Sequence, residues 1–197
     1  MRIKKRGTLE RGARTSRIVV FPRPGHPQRG VLRVGALALP CALGRSGTTW
    51  MKREGDGATP AGRYRLLSLR LRPDRVIGRP GKVPAAVMRR NEGWCEDPRS
   101  GRYNRPIRLP SADGHEDMWR GDRLYDIVGV LDWNIRPRAS RRGSAIFLHL
   151  ARSGHTPTAG CIALSLHDLE RLLAAAGPRP EFLVSAPPRK LRPSQRD

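Results

Sequence analysis

The chain has 197 residues, room for one ordinary domain with tails and too few for two full-sized ones. Hydrophobic residues at 38% exclude wholesale disorder, and since no apolar run approaches the roughly 18 residues of a membrane-spanning helix, no integral membrane segment is expected. The net charge of +22 favours an anionic partner. Only five of the 39 basic residues are Lys, however, and GC-rich coding produces such an Arg excess without selection for binding; with no interleaved aromatics and no recognition helix, no specific nucleic-acid partner is expected.

Residues 1–16 are strongly basic, with Glu10 the only acid, and are expected to form a flexible tail. The apolar run that follows, Ile18 to Phe21, is four residues long, too short for the core of a secretory signal, so export is unsupported by this stretch. A single domain is expected over 17–185. Period-two alternation predicts strands at Arg17–Phe21, Val31–Leu39, Gly62–Leu71, Tyr125–Leu131 and Ala145–Leu150, separated by clusters of Gly, Pro, Ser and Asn. The fold class is therefore mainly β. One helix is predicted, with Ser165 as N-cap and Asp168 three residues on. Leu166, Leu169, Leu172 and Leu173 form its apolar face, and Gly177-Pro178 stop it. Residues 186–197, rich in Pro and charge, read as a second tail.

The segment IFLHLARSGHTPTAGCIAL, residues 146–164, carries the chemistry. His149 ends an apolar strand, and Cys161 follows a glycine that permits close backbone approach. Their spacing of twelve residues suits two strands joined by a loop. An imidazole that takes the thiol proton makes a nucleophile, and the backbone N–H groups of Gly160 and Cys161 are candidates for an oxyanion hole. Taken alone the pair leaves a structural reading open, because a Cys after Gly is commonly a small buried hydrophobe. The other two thiols, Cys41 and Cys95, lack a neighbouring His and read as structural. His155 reads as an exposed turn residue, and His115-Glu116 with Asp126 lack metal-ligand spacing, so no metal and no cofactor are expected.

The segment resembles the catalytic motif of the YkuD-like L,D-transpeptidases, in which a His is followed by Ser/Thr-His-Gly-Cys; here the corresponding residues are His149 and Thr158-Ala159-Gly160-Cys161. Upstream, Thr59-Pro60-Ala61-Gly62 followed by Tyr64 resembles the family's Thr-Pro-x-Gly loop. Trp94 to Pro98, Tyr103-Asn104, His115-Glu116 with Trp119-Arg120, and Tyr125-Asp126 running to Asn134 resemble a divergent bacterial subgroup, and the likeness spans roughly residues 30–176. Two departures stand out: Ala159 replaces the usual His and Ala163 the usual Arg.

The resemblance implies a YkuD-like fold and a cysteine acyltransferase acting on peptidoglycan stem peptides as donor and acceptor. It assigns Cys161 as nucleophile and His149 as base. It implies a place in the cell envelope, which the missing signal leaves unsupported. Thr158, Thr59, Arg45, Arg63, Trp94, Tyr103 and Asn104 are the candidate substrate-binding residues, with Arg45 or Arg63 expected to replace the missing cation. Two alternatives are a hydrolase that resolves the same thioester with water, and a non-catalytic basic binding module in which Cys161 is inert.

Overall fold

The structure is a computed structural model described over residues 16–186, so the expected tails fall almost wholly outside the described residues. Strands β1 (Arg17–Arg23), β2 (His26–Val34) and β3 (Leu37–Ala42) form an antiparallel meander. A short parallel pair, β4 (Thr48–Thr49) and β5 (Thr59–Pro60), precedes the long β6 (Gly62–Leu71) and the short β7 (Ala85–Val87). Next come β8 (Glu92–Cys95), β9 (Pro106–Arg108) and β10 (His115–Asp117), which make a separate three-stranded sheet in the order β10-β8-β9. The chain finishes with β11 (Ile127–Leu131), β12 (Phe147–Leu150), β13 (Ile162–Leu164), helix α1 (Leu166–Ala175) and β14 (Glu181–Val184).

The main sheet runs β11-β12-β13-β3-β2-β1-β14-β6-β7 and closes on itself, because β6 pairs with β14 along its first half and with β11 along its second. The enclosed core is mostly aliphatic, with Tyr64 and Phe182 its aromatic members. Alternation supplies it: Ile18 and Val20 from β1, Tyr64 and Leu66 from β6, and Leu148 and Leu150 from β12 all point inward. Strands β11 and β12 are buried at every position, so their outward residues need a second cover. The small sheet provides part of it, and Trp94, Met118, Tyr125, Val128, Phe147 and Cys161 form a second apolar cluster. The site lies in this second layer.

Alternation alone misreads one segment. Val31–Leu39 is two strands joined by a tight turn at Gly35-Ala36, since Val34 pairs with Leu37 and Gly35 sits at φ 54°. A glycine adopts that conformation without a Cβ penalty, so the run folds back as a hairpin. The helix forms as its signals predict: Ser165 accepts the Asp168 N–H, and Leu169, Leu172 and Leu173 are fully buried. Leu166, in the first turn, is 45% exposed and leaves the apolar face narrower than expected. Among the described residues no helix is long and apolar enough to cross a membrane.

Candidate active site

β12 and β13 lie side by side in parallel, with His149 opposite Ala163 and Leu148 opposite Ile162. Since Leu148 and Leu150 take the inner face, Phe147 and His149 face the second layer, where Cys161 stands at the entry to β13. Both side chains line one cavity of about 500 Å³. Its other walls include Arg45 from the loop between β3 and β4, Lys52 and Glu54 from the loop between β4 and β5, Glu96 just past β8, Glu116 of β10, Arg120, Tyr125 and Arg152.

The thiol is fixed by main chain. Its Sγ donates to the Ala145 carbonyl at 3.2 Å and receives the Phe147 N–H at 3.3 Å. The imidazole is 6% exposed, with Nδ1 2.8 Å from the Leu150 carbonyl. Only a protonated Nδ1 satisfies that carbonyl, so neutral His149 keeps its lone pair on Nε2, the edge available to take a proton. Burial lowers His149 to about 4, with the positive charges of Arg120 and Arg152 adding to the effect. Burial also pushes the Cys161 thiol up to about 12, and the carboxylates of Glu116 and Glu96 push the same way, against the Phe147 N–H and Lys52. At neutral pH the pair therefore rests as neutral thiol and neutral imidazole.

The loop before Cys161 is held by hydroxyls. Thr158 Oγ1 donates to the Cys161 carbonyl at 2.7 Å and accepts the Gly160 N–H at 3.1 Å. Thr59 Oγ1, fully buried, donates to the same carbonyl at 3.4 Å and accepts the Gly44 N–H at 2.8 Å. Gly160 has φ 143°, and a Cβ there would lie 2.9 Å from the Ala58 carbonyl oxygen, so only glycine lets the two loops close. Of the two backbone donors expected for an oxyanion, the Gly160 N–H is thus engaged by Thr158 at rest.

The structure brings Cys161, His149, Gly160, Thr158 and Arg45 to one cavity, and Ala159 and Ala163 also line it. It places the other candidates elsewhere. Arg63 is exposed on β6, 3.7 Å from Glu181, because the period-two alternation of that strand turns Arg63 and Arg65 outward while Tyr64 and Leu66 point in. Thr59 lies beneath the loop as a brace. Trp94 is buried edge-on against Phe147, and its Nε1 donates to Asn104 Oδ1 at 2.9 Å. The same Asn104 oxygen accepts the Ala145 N–H at 3.1 Å, so Asn104 sets the strand that carries the thiol's acceptor without touching the cavity. Tyr103 is buried and donates to the Glu54 carboxylate. These residues support the walls rather than line them. His155, expected at the surface, is half-buried at φ 53° and faces a different cavity.

Sequence reasoning missed the acidic wall of Glu54, Glu96 and Glu116 and the Leu150 carbonyl. Glu96 and Glu116 sit in segments singled out by resemblance alone; they meet because β8 and β10 pair with Glu116 opposite Trp94, a register that the intervening loops conceal. Among the described residues no group of three or more His, Cys, Asp or Glu side chains is placed to hold a metal ion.

The described residues thus form a closed, mainly β domain in which a thiol and an oriented imidazole line one cavity. Residues 17–181 match the model of the L,D-transpeptidase catalytic domain, the YkuD family, and the chain belongs to that family. A search of curated proteins finds no match.

Proposed function

We propose that the protein is a cysteine-dependent L,D-transpeptidase that forms or remodels crosslinks between peptidoglycan stem peptides in the cell envelope. The observation that carries the reading is the shared cavity of Cys161 and His149, with Leu150 fixing the imidazole so that Nε2 is the free base. Family membership supports the substrate class.

In this reading the Cys161 proton passes to His149 Nε2 as sulfur attacks the carbonyl of an L-centre in the donor peptide. His149 returns that proton to the departing D-amino acid nitrogen, leaving a thioester. An acceptor amine then attacks the thioester and restores the thiol. The Cys161 N–H serves the tetrahedral oxyanion, joined by the Gly160 N–H once it leaves Thr158. Arg45, which lines the cavity and whose backbone N–H donates to the Thr158 carbonyl, replaces the cation that Ala159 and Ala163 no longer supply and anchors a donor carboxylate.

Incubation with a defined muropeptide mixture, followed by mass spectrometry of products and protein, tests the reading. Crosslinked dimers and an acyl adduct on Cys161 are expected. Free tripeptide without dimers marks a hydrolase instead, and no adduct and no product would leave only a binding role.

A further inference from the structure

Within the cavity, Glu96 and Glu116 are anomalous. The chain carries +22, yet among the described residues no basic side chain lies within ion-pair range of Glu96. Glu116 has Arg120 at 3.7 Å and accepts the Tyr125 hydroxyl. The two carboxyls face each other across the cavity wall, and Glu54 and Asp122 add further negative charge around them. Burial, with Glu116 and Glu54 beside it, pushes Glu96 up to about 7, so the pair holds a shared proton near neutrality.

This arrangement works against thiol activation, because negative charge on the pair disfavours a thiolate. Its use must lie in another step. The second half of the proposed reaction brings a primary ammonium to the same cavity, where carboxylates are the natural partner and a base is required. An independent observation points to the same empty space. His149 is 6% exposed, lines the cavity, and beyond the Nδ1 contact to Leu150 forms no hydrogen bond to the described residues, so its Nε2 faces the volume that the carboxyls border.

We propose that Glu96 and Glu116 form the acceptor subsite, binding the primary ammonium of the acceptor peptide and taking the proton it must lose before it attacks the thioester. The inference rests on the transpeptidase reading above. The proton balance is complete. The carboxyl pair, holding one proton, has one carboxylate left to accept another from R–NH₃⁺. The freed lone pair forms the C–N bond, the C–S bond breaks, the second nitrogen proton passes through His149 Nε2 to the Cys161 sulfur, and the carboxyl pair releases its extra proton to water.

The test measures deacylation of isolated donor acyl-enzyme at pH 7 by two small acceptors, glycinamide, which is an ammonium at that pH, and methoxyamine, which is uncharged. Glu96→Gln and Glu116→Gln keep the shape and hydrogen-bonding capacity of each side chain. Transfer to glycinamide is expected to fall by about tenfold or more, while transfer to methoxyamine stays within about twofold of the parent. An equal loss with both acceptors would make the pair structural and overturn the proposal, as would undiminished transfer to glycinamide. A second arm uses Cys161→Ala protein and titrates an acceptor stem peptide by calorimetry. Adding both Gln substitutions should weaken binding about tenfold, and an unchanged Kd also overturns the subsite. Should the parent form no acyl-enzyme, the transpeptidase reading fails on its own, while the calorimetric arm still decides whether the acidic pair binds an ammonium.

Discussion

Cys41 and Cys161 are both buried thiols, both are pushed up to about 12 chiefly by desolvation, and each shares a cavity with a histidine from residues 149–155. They differ in everything else. Cys41 sits on β3 opposite Gly30, in a cavity of about 270 Å³ floored by Val31, Ala38 and Pro40. A Cβ at Gly30 would come within 2.9 Å of its sulfur, so the thiol fills the space that a side chain on β2 would occupy. Its histidine, His155, has a buried Nε2 without a partner among the described residues, and none of them fixes its tautomer. Cys161 shares its cavity of about 500 Å³ with a base whose other nitrogen is tied to Leu150, which leaves room for a peptide. Burial and a nearby imidazole therefore do not single out a nucleophile. In the proposed reading, an oriented base and open volume do.

The largest test of this contrast is the thiol itself. Cys161→Ser should keep the fold and lose at least about a hundredfold in muropeptide turnover, because a hydroxyl is far harder to ionise than a thiol beside one imidazole. Cys41→Ser should retain most of it. Comparable turnover by the Cys161 variant, or an equal loss at Cys41, would reverse the assignment.

The histidines come next. His149→Ala should slow carbapenem acylation of Cys161 by about a hundredfold or more, the usual weight of a general base, read from the growth of the one-equivalent adduct in intact-protein mass. His155→Ala should acylate at the parental rate. If both variants behave like the parent, the Nε2 of His149 is not the proton acceptor.

How much of this was legible in the sequence follows from the range of each interaction. Cys161, His149 and Gly160 lie within one strand-loop-strand segment, and local spacing with motif resemblance was enough to place them together. The helix was equally readable, because Ser165, Asp168 and the leucines act within a few residues of one another. Arg63 shows the limit: its position beside the Thr-Pro-x-Gly loop suggested a site, but the alternation of β6 turns it outward to Glu181. Trp94, Tyr103 and Asn104 were noticed for their residue types, yet only the tertiary packing tells a wall-supporting aromatic from one that faces ligand. The acidic wall is the opposite case. Glu54, Glu96 and Glu116 come from three separate segments, and no period or spacing links them.

The arginines separate the two kinds of legibility at smaller cost. Arg45 lines the cavity, whereas Arg63 does not. Arg45→Ala should raise KM for a donor stem peptide about tenfold, the loss of roughly one charge-assisted contact of 1.4 kcal/mol, with kcat less affected. Arg63→Ala should leave both parameters in place. If neither substitution changes KM, the donor carboxylate is held by Arg120 or Arg152 instead.

The smallest effect is also the cleanest comparison of the two thiols, since both are read in one sample. Glu116 raises the Cys161 pKa through its negative charge, and no such carboxylate acts on Cys41, whose shift comes from burial against the Gly30 N–H. Glu116→Gln removes that charge while keeping an acceptor for the Tyr125 hydroxyl. The thiol pKa at Cys161 should therefore fall, and at any fixed pH below it the thiolate fraction rises. Iodoacetamide labelling of Cys161 should accelerate by about threefold to tenfold, consistent with a surviving carboxylate at Glu96 and continued burial. In parent and variant alike the labelling rate should climb about tenfold per pH unit from 7 to 9, because both conditions lie well below the thiol pKa. Cys41 should label at one slow rate in both proteins. Equal acceleration at both thiols would mean that the substitution has loosened the fold, and no acceleration at Cys161 would mean that Glu116 carries no charge there at neutral pH.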